Sequence, residues 1–481
     1  MLGNLIRQLV GRAEPVAAAP AHGGEAGEFV RSRLHPLLRE GLVTEALIEL
    51  APLLARDTSN SAAKHLVEFS LRGIAEFARR EYWRPIITYQ LGCILLSMDD
   101  EEGARLCAGI TWGEADAARG YRRFRRGGDL VDHCRAAGLP VKLFPHLDVA
   151  RMDGLDAPRV ANRHTSLCLL RDATVIGESF LPATPDGVVF TERCMDSPLK
   201  LERYDGVQWL EGVRLASDDR LWAAEGETDR HAGPHVLVGN HENIGHWLLF
   251  FFSRLRLLEE APELATAKIV VGESLKPLHL ECLRRAGIGE DRLVRLKKGR
   301  FARFDELWVP SFICGVSSSE IMYWTPETIH FMRRVLGVKA PPGGGRRRLF
   351  LSRRGARWRR VVNEDALAAA LATKGFEEID AGKLDLQQQI DLAAEAEVIV
   401  ACFGAAMNFH LLAGEGVPVF QLQPEKRVRM NIHVAITREL GQPFHAVAGR
   451  IVTRNADPLK SDFEVDPAAV LQALEGVLDR R

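Results

Sequence analysis

The sequence predicts an α/β protein with two doubly wound, Rossmann-like units, preceded by a helical module and a small β-rich layer. Three observations carry that reading. Short apolar runs alternate with amphipathic helical runs from His235 to Pro310, the rhythm of parallel βαβ units. After "VKAPPGGGRRR", whose prolines and glycines would end a helix and act as a linker, the alternation restarts and continues to Gln423. The chain has 481 residues. Single cores stop growing at roughly 250 to 300 residues, so two or three domains are expected.

Residues 1–28 read as a flexible tail. "MLGNLIRQLVGRAEPVAAAPAHGGEAG" has one short amphipathic turn or two and then Ala, Pro and Gly, without the apolar core and cleavage pattern of a signal peptide. Met1 to Val10 reads as a frayed terminus, with contact with a membrane surface as the competing reading. No apolar run approaches the roughly 20 residues needed to cross a bilayer.

Residues 29–144 form the helical module, on the three-to-four spacing of "LVTEALIELAPLLARD" and "AAKHLVEFSLRGIAEFARREY". Gly41, Ala46, Leu50, Asp57 and Ala63 loosely resemble one tetratricopeptide-like hairpin, but no second copy is found, so a repeat array is not expected. Support of the fold is the preferred role, docking of a protein partner the other. Residues 145–232 are the β-rich lead-in, where "PDG" marks a turn between strand-like runs in "TSLCLLRDATVIGESFLPATPDGVVFTERC".

Residues 233–339 hold the first Rossmann-like unit: "HVLVG", "AKIVVG", "DRLVRL" and "DELWVP" as strands, "HWLLFFFSRLRLLEE" and "LHLECLRRAG" as helices. Residues 340–481 hold the second, with "RRLFLSR", "FEEID", "EVIVACFGAAMN" and "VPVFQLQ" as strands and "NEDALAAALATKG", "DLQQQIDLAAEA" and "FHLLAGEG" as helices. A final helix, "DPAAVLQALEGVLDRR", packs across one of the sheets.

Composition excludes several classes of function. With 63 Lys and Arg against 64 Asp and Glu the net charge is −1, which leaves no broad basic surplus for tracking nucleic acid. The eight cysteines are scattered without a C-x-x-C pair, arguing against zinc ribbons and disulfide scaffolds and for a reducing cytoplasm. There is no G-x-x-x-x-G-K-[ST], no G-x-G-x-x-G and no D-x-D carboxylate pair, so a metal-free chemistry is favoured and no cofactor is expected.

Three stretches carry candidate chemistry. "HENIGH", His241 to His246, looks like a zinc H-E-x-x-H, but its histidines are five apart, which on a helix rotates one from the other by roughly 140 degrees. What remains is an Asn243-x-Gly-His246 turn at a strand's carboxyl end, where His246 suits a general base or, equally, a helix cap. "RRRLFLSRRGARWRRVVNE", from Arg346, has eight arginines in its first fifteen positions. Ser352 and Arg353 leave the strand's carboxyl end, and two or three of the arginines are expected to grip phosphate bidentately, the first three being solvated. Asn363 reads as a helix N-cap, with Glu364 and Asp365 in the first turn. In "EVIVACFGAAMNFHLLAGEG" the Gly404-Ala405 corner brings backbone N–H groups to an anion, or simply allows tight packing.

Together these blocks resemble glycosyltransferase family 61, over roughly Arg159 to Pro424. The likeness lies in "ENIGHWLLFFFSRLRLLE", in "LRRAGIGEDRLVRL", and in an ordered series: Ser352-Arg353, Arg359 with Asn363-Glu364, Gln388-Gln389-Ile390, and Phe403-Gly404-Ala405. The sequence departs from that family at Phe403, where a histidine precedes Gly-Ala; at Asn408, one place early; and at Gln421, where the last strand has a glutamate.

The resemblance implies a GT-B fold, with two Rossmann-like domains facing a cleft, and an inverting, metal-independent transfer from a nucleoside-diphosphate sugar to a hydroxyl of a glycan acceptor. It implies work in capsular or surface polysaccharide synthesis, in the cytoplasm or peripherally on the inner membrane's cytoplasmic face. His246 becomes the base; Arg353 and Arg359 take the diphosphate. Asn243, Ser352, Asn363, Glu364, Gln389, Phe403, Gly404, Ala405 and Asn408 join the substrate site. The rival from another class is a catalytically inactive, glycosyltransferase-like binding or scaffold protein.

Overall fold

A computed structural model describes residues 28, 30–43, 45–46, 49–50, 84–113, 118, 120–149, 164–190, 213–216, 220–297, 299–316, 322–356, 358–425, 432–453 and 461–478. The readings on Met1 to Val10, on "AAKHLVEFSLRGIAEFARREY" and on Asp57 and Ala63 lie outside them. The fold is mixed α/β and divides into two compact units, each made of several stretches of chain: Met1–Pro140, Cys168–His235 and Leu296–Val309 in the first, Val141–Leu167, Val236–Arg295 and Pro310–Arg481 in the second.

In the first unit a short helical stretch, Val30–Leu34 and His35–Arg39, precedes a helical hairpin, α1 (Arg84–Ser97) and α2 (Glu101–Trp112). Asp100 caps α2, accepting from Gly103 N at 3.3 Å, and also takes His35 Nε2 at 2.8 Å. Leu91, Leu95, Ala104 and Cys107 of the hairpin share a buried cluster with Leu215 and Trp222 of the sheet. That sheet comprises β1 (Tyr121–Arg126), β3 (Ser166–Ile176), β4 (Leu181–Ala183), β5 (Val188–Val189), β6 (Val213–Ala216), β7 (Arg220–Ala224), β8 (Thr228–Leu237) and β11 (Phe301–Pro310), in the order β8-β11-β3-β4-β5-β1-β7-β6. The "PDG" turn joins β4 to β5, with Gly187 at φ +81° donating to Thr184 O.

The helical reading fails at β1, which pairs antiparallel with β7. Tyr121 and Phe124 are three apart, as on a helix. On a strand they point to opposite faces, and both faces are covered: Tyr121 stacks on Trp222 at 5.6 Å and Phe124 meets Phe301 at 6.4 Å. Helix α3 (Leu130–Ala136) comes next, capped by Asp129.

In the second unit β2 (Val141–Leu143) lies beside the start of β3, β9 (Lys268–Gly272) beside the end of β8, and β10 (Leu293–Leu296) on the far side of β9. Between them run α4 and α5 (Pro277–Arg285). Helix α4 is not regular: one α-turn (Ile244–His246) passes into a π-turn (Trp247–Phe251) and then a 3-10 stretch (Phe252–Glu260). The hairpin β12 (Cys314–Val316) and β13 (Met322–Trp324) leads to α6 (Pro326–Leu336), which is capped by Thr325 and stopped by Gly337 at φ +76°.

The segment from Val338 to Arg346 is no free linker. Gly345 N donates to Ala396 O and Gly343 N to Glu415 O, and a side chain at Gly345 would stand 2.5 Å from the Glu395 carbonyl carbon. Gly344 and Gly345 are there for close approach to the chain entering the strand beside them.

The remainder of the second unit is a doubly wound sheet of β14 (Arg347–Leu351), β15 (Phe376–Ile379), β16 (Ala396–Cys402), β17 (Val419–Pro424), β18 (Phe444–Thr453) and β19 (Asp462–Glu464), ordered β15-β14-β16-β17-β18-β19. All its pairings are parallel except the last. The connecting helices are α7 (Glu364–Ala372), α8 (Leu386–Ala394, with an Asp385/Gln388 capping box), the 3-10 helix α9 (Ala405–Leu412), α10 (Val434–Glu439) and α11 (Pro467–Leu478). On one face Phe350, Val398, Val400 and Phe420 pack under Leu367 and Leu371 of α7 and Val470 and Leu474 of α11. The alternate residues Leu349, Leu351, Ile399 and Ala401 are equally buried, so these strands are continuously apolar.

Candidate active site

Strand β14 has β15 on one side and β16 on the other, so the chain leaves β14 and β16 in opposite directions. Such a switch point opens a crevice beyond the carboxyl ends of the two strands. Ser352-Arg353 and Phe403-Gly404 are the residues that emerge there, from strands in register at Leu351 and Ala401.

The loop after β14 is organised by one buried carboxylate. Glu364, 5 % exposed, accepts from Ser352 Oγ at 2.9 Å and from Arg353 N at 2.7 Å. Arg353 Nη2 donates to Trp358 O at 2.9 Å, while its Nε is buried without a hydrogen-bond partner among the described residues. Arg359 adopts φ +57°, which costs a non-glycine residue roughly 1 kcal/mol. Its guanidinium carbon then stands 5.0 Å from the centroid of the Phe403 ring.

Gly404 lies under both arginines. At φ +146° it is in a region side chains rarely adopt, and a Cβ there would collide with Arg353 Nη1 and stand 3.4 Å from Arg359 Nη2. Gly404 also caps α9.

The start of α4 meets the same corner. Asn243 caps the helix, its Oδ1 accepting from Gly245 N at 2.9 Å and His246 N at 3.2 Å. A Cβ on Gly245 would strike Asn408 Nδ2 and stand 3.3 Å from Ala405 Cα, so the glycine permits the approach of α4 to α9. Asn408 is 7 % exposed; its Nδ2 donates to Ala405 O at 3.1 Å and its Oδ1 has no hydrogen-bond partner among the described residues. His246 is half-buried, edge-on to Phe250, and its ring centre lies 4.8 Å from that of His241. His241 precedes the helix and accepts from Asn243 N at 2.8 Å through Nδ1.

The structure therefore gathers Asn243, His246, Ser352, Arg353, Arg359, Phe403, Gly404, Ala405 and Asn408. Three other candidates are committed to the scaffold. Asn363 holds the N-cap position of α7 but does not cap it with its side chain; its amide donates to Val465 O at 2.7 Å and its Oδ1 accepts from Val465 N, clamping the chain between β19 and α11. Glu364 spends its carboxylate on the loop after β14. Gln389 Nε2 donates to Ala381 O and Leu384 O and holds the turn before α8.

Four of the other arginines of the run are ion-paired. Arg347 and Arg348, expected to be solvated, lie on β14 against Glu377, Glu395 and Glu397. Arg354 pairs with Glu378 and Asp365, and Arg360 with Asp462. Arg357 lies outside the described residues.

Residues 244–419, from the first residue of α4 to the first of β17, match the family model of glycosyltransferase 61. The chain carries a glycosyltransferase 61 domain. The protein is a glycosyltransferase, and the gathered residues from Gly245 to Asn408 all fall within that domain. No curated protein matches the chain.

Sequence reasoning missed His433, the N-cap residue of α10, which is buried edge-on to Phe403 at 6.1 Å. It also missed His410 and Gln442 behind it. No short motif joins the three, since they are 23 and 32 residues apart along the chain. The only local signal was that each histidine sits in an apolar run, His410 in "FHLLAG" and His433 in "NIHVAIT".

Proposed function

We propose that the glycosyltransferase domain binds a nucleoside-diphosphate sugar with its diphosphate against Arg353, Arg359 and the amino end of α9. On this reading it transfers the sugar with inversion, without a metal, to a hydroxyl of a glycan acceptor in capsular or surface polysaccharide synthesis. The observation that carries this is the pair of guanidiniums laid over Gly404 at the switch point. Two such forks match the oxygens of a diphosphate and neutralise the charge it gains as it leaves.

Inversion needs a single in-line displacement, hence a base opposite the leaving group. His246, brought to the α9 corner by the Gly245 contact, is assigned that role: its imidazole takes the acceptor hydroxyl's proton as the new glycosidic bond forms. Phe403 lies under Arg359 where the resembling family has histidine, so here the guanidinium rests on an aromatic face rather than beside an imidazole. The two strand–helix alternations of the second unit are read as the halves of a GT-B fold, working in the cytoplasm.

The test is a panel of nucleotide sugars incubated with the protein and excess chelator. Product is followed by mass spectrometry and its anomeric configuration by NMR. Transfer with inversion under chelation supports the reading; turnover only with added divalent cation, or a retained anomer, refutes it.

A further inference from the structure

Behind Phe403 lies a chain of three buried side chains whose proton positions can be deduced one from the next. Gln442 Nε2 donates to His410 O at 3.0 Å and to Gly414 O at 3.1 Å, which uses both amide hydrogens. Its Oε1 therefore faces His410 Nδ1, at 3.0 Å, as an acceptor only, so Nδ1 carries the hydrogen. His410 is fully buried and burial pushes its pKa down to about 4, leaving Nε2 a lone pair at neutral pH. Nε2 lies 3.2 Å from His433 Nδ1, which must then be the donor. Burial, together with the charges of His410, Arg359 and His246, holds His433 well below the usual imidazole range. Its Nε2 is thus also a lone pair.

We propose that Gln442 and His410 act as a tautomer relay that fixes His433 as a neutral hydrogen-bond acceptor beside Arg359. His433 is then a positioning residue for the guanidinium that takes the diphosphate. That last role rests on the proposed binding of a diphosphate; the tautomers do not. His433 and the Arg359 guanidinium meet the same Phe403 ring, so an imidazolium at this place would set a second cation near Arg359. The acceptor form leaves the full charge of Arg359 for the ligand. Phe403 completes the arrangement, edge-on to the His433 ring and under Arg359. Arg333 of α6, the other cation packed behind the relay, is held by Leu411 O and Ala413 O, both at 2.7 Å. His433 and Gln442 lie beyond the residues matched by the family model and His410 lies within them.

The tautomers are read directly from two-bond proton–nitrogen correlations on the 15N-histidine-labelled protein at pH 7. The relay predicts that His410 and His433 are both neutral with the hydrogen on Nδ1. An imidazolium at either ring, or hydrogen on Nε2 of His433, overturns it whether or not the protein binds a nucleotide. The positioning role is tested by calorimetric titration with inorganic pyrophosphate, which presents the diphosphate without a base. His433→Phe should weaken binding about tenfold, and His433→Gln, whose carbonyl can stand in for Nε2, should recover to within about threefold of the parent. Unchanged affinity in a folded His433→Phe protein overturns the positioning role. Absence of pyrophosphate binding by the parent overturns the diphosphate reading and that role together, while the spectrum still decides the relay. Should neither variant fold, the role is decided on the parent by its spectrum with and without pyrophosphate: perturbed His433 nitrogen signals support it and unmoved ones overturn it.

Discussion

The Arg353 guanidinium lies so close over Gly404 that no side chain fits between them. This contact joins the ends of β14 and β16, and it explains a glycine at φ +146° better than a turn requirement alone. Gly404→Ala should therefore displace both arginines as well as strain the backbone. The expected result is a loss of about 1–3 kcal/mol in stability and at least a tenfold loss of diphosphate affinity, read by denaturant melts and calorimetry. A variant that loses stability but keeps affinity would separate the glycine from the binding function.

His246 is placed by the Asn243 cap and the Gly245 contact, and it is assigned to the acceptor's proton. His246→Ala should lower kcat by about 10²- to 10⁴-fold while donor affinity stays within a factor of two or so. Loss of both together would mark His246 as a structural residue of the α4 corner.

Glu364 does not reach for substrate but accepts from Ser352 and Arg353. Removing it leaves a hydroxyl and an N–H without their partner, so Glu364→Ala should cost about 1–3 kcal/mol in chemical denaturation. Glu364→Gln, which keeps one acceptor oxygen, should cost less. Equal stability of Glu364→Ala and the parent would refute this account of the loop.

The buried imidazoles make stability depend on pH. Burial lowers His279 to about 4 and His410 to about 4, and His433 falls well below its usual value. Between pH 4 and about 6.5 the unfolded chain binds protons at these positions that the folded chain does not, so stability rises with pH there and is lost as pH falls from about 6.5. Three such groups give a slope approaching about 4 kcal/mol per pH unit near pH 5. Denaturant midpoints measured from pH 7 to pH 5 should fall accordingly; a flat profile would show that these rings are protonated in the folded protein.

Much of the second sheet was legible because its strands are buried on both faces and read as unbroken apolar runs between glycine stops, as at "EVIVACFG". The pairing of Ser352-Arg353 with Phe403-Gly404 followed from strand ends alone. Selecting among the arginines did not follow, because an ion pair such as Arg347–Glu377 joins strands distant in sequence and leaves no local trace. Asn363 illustrates the same limit: its position before α7 suited a cap, yet Val465, 102 residues away, takes both ends of its amide. The strand at Tyr121–Arg126 was hidden by aromatic spacing that helix and strand can share. The Gln442–His410–His433 relay was hidden because its partners meet only through tertiary packing.

The central claim is that Arg353 and Arg359 hold a diphosphate over Gly404. Its most direct test is titration of the protein with a series of nucleoside diphosphates in the presence of chelator, comparing the parent with Arg353→Ala. The account predicts metal-free binding by the parent and, in a variant that melts with the parent, a loss of affinity of at least about tenfold, corresponding to about 1.4 kcal/mol. Equal affinity in the two proteins would contradict it.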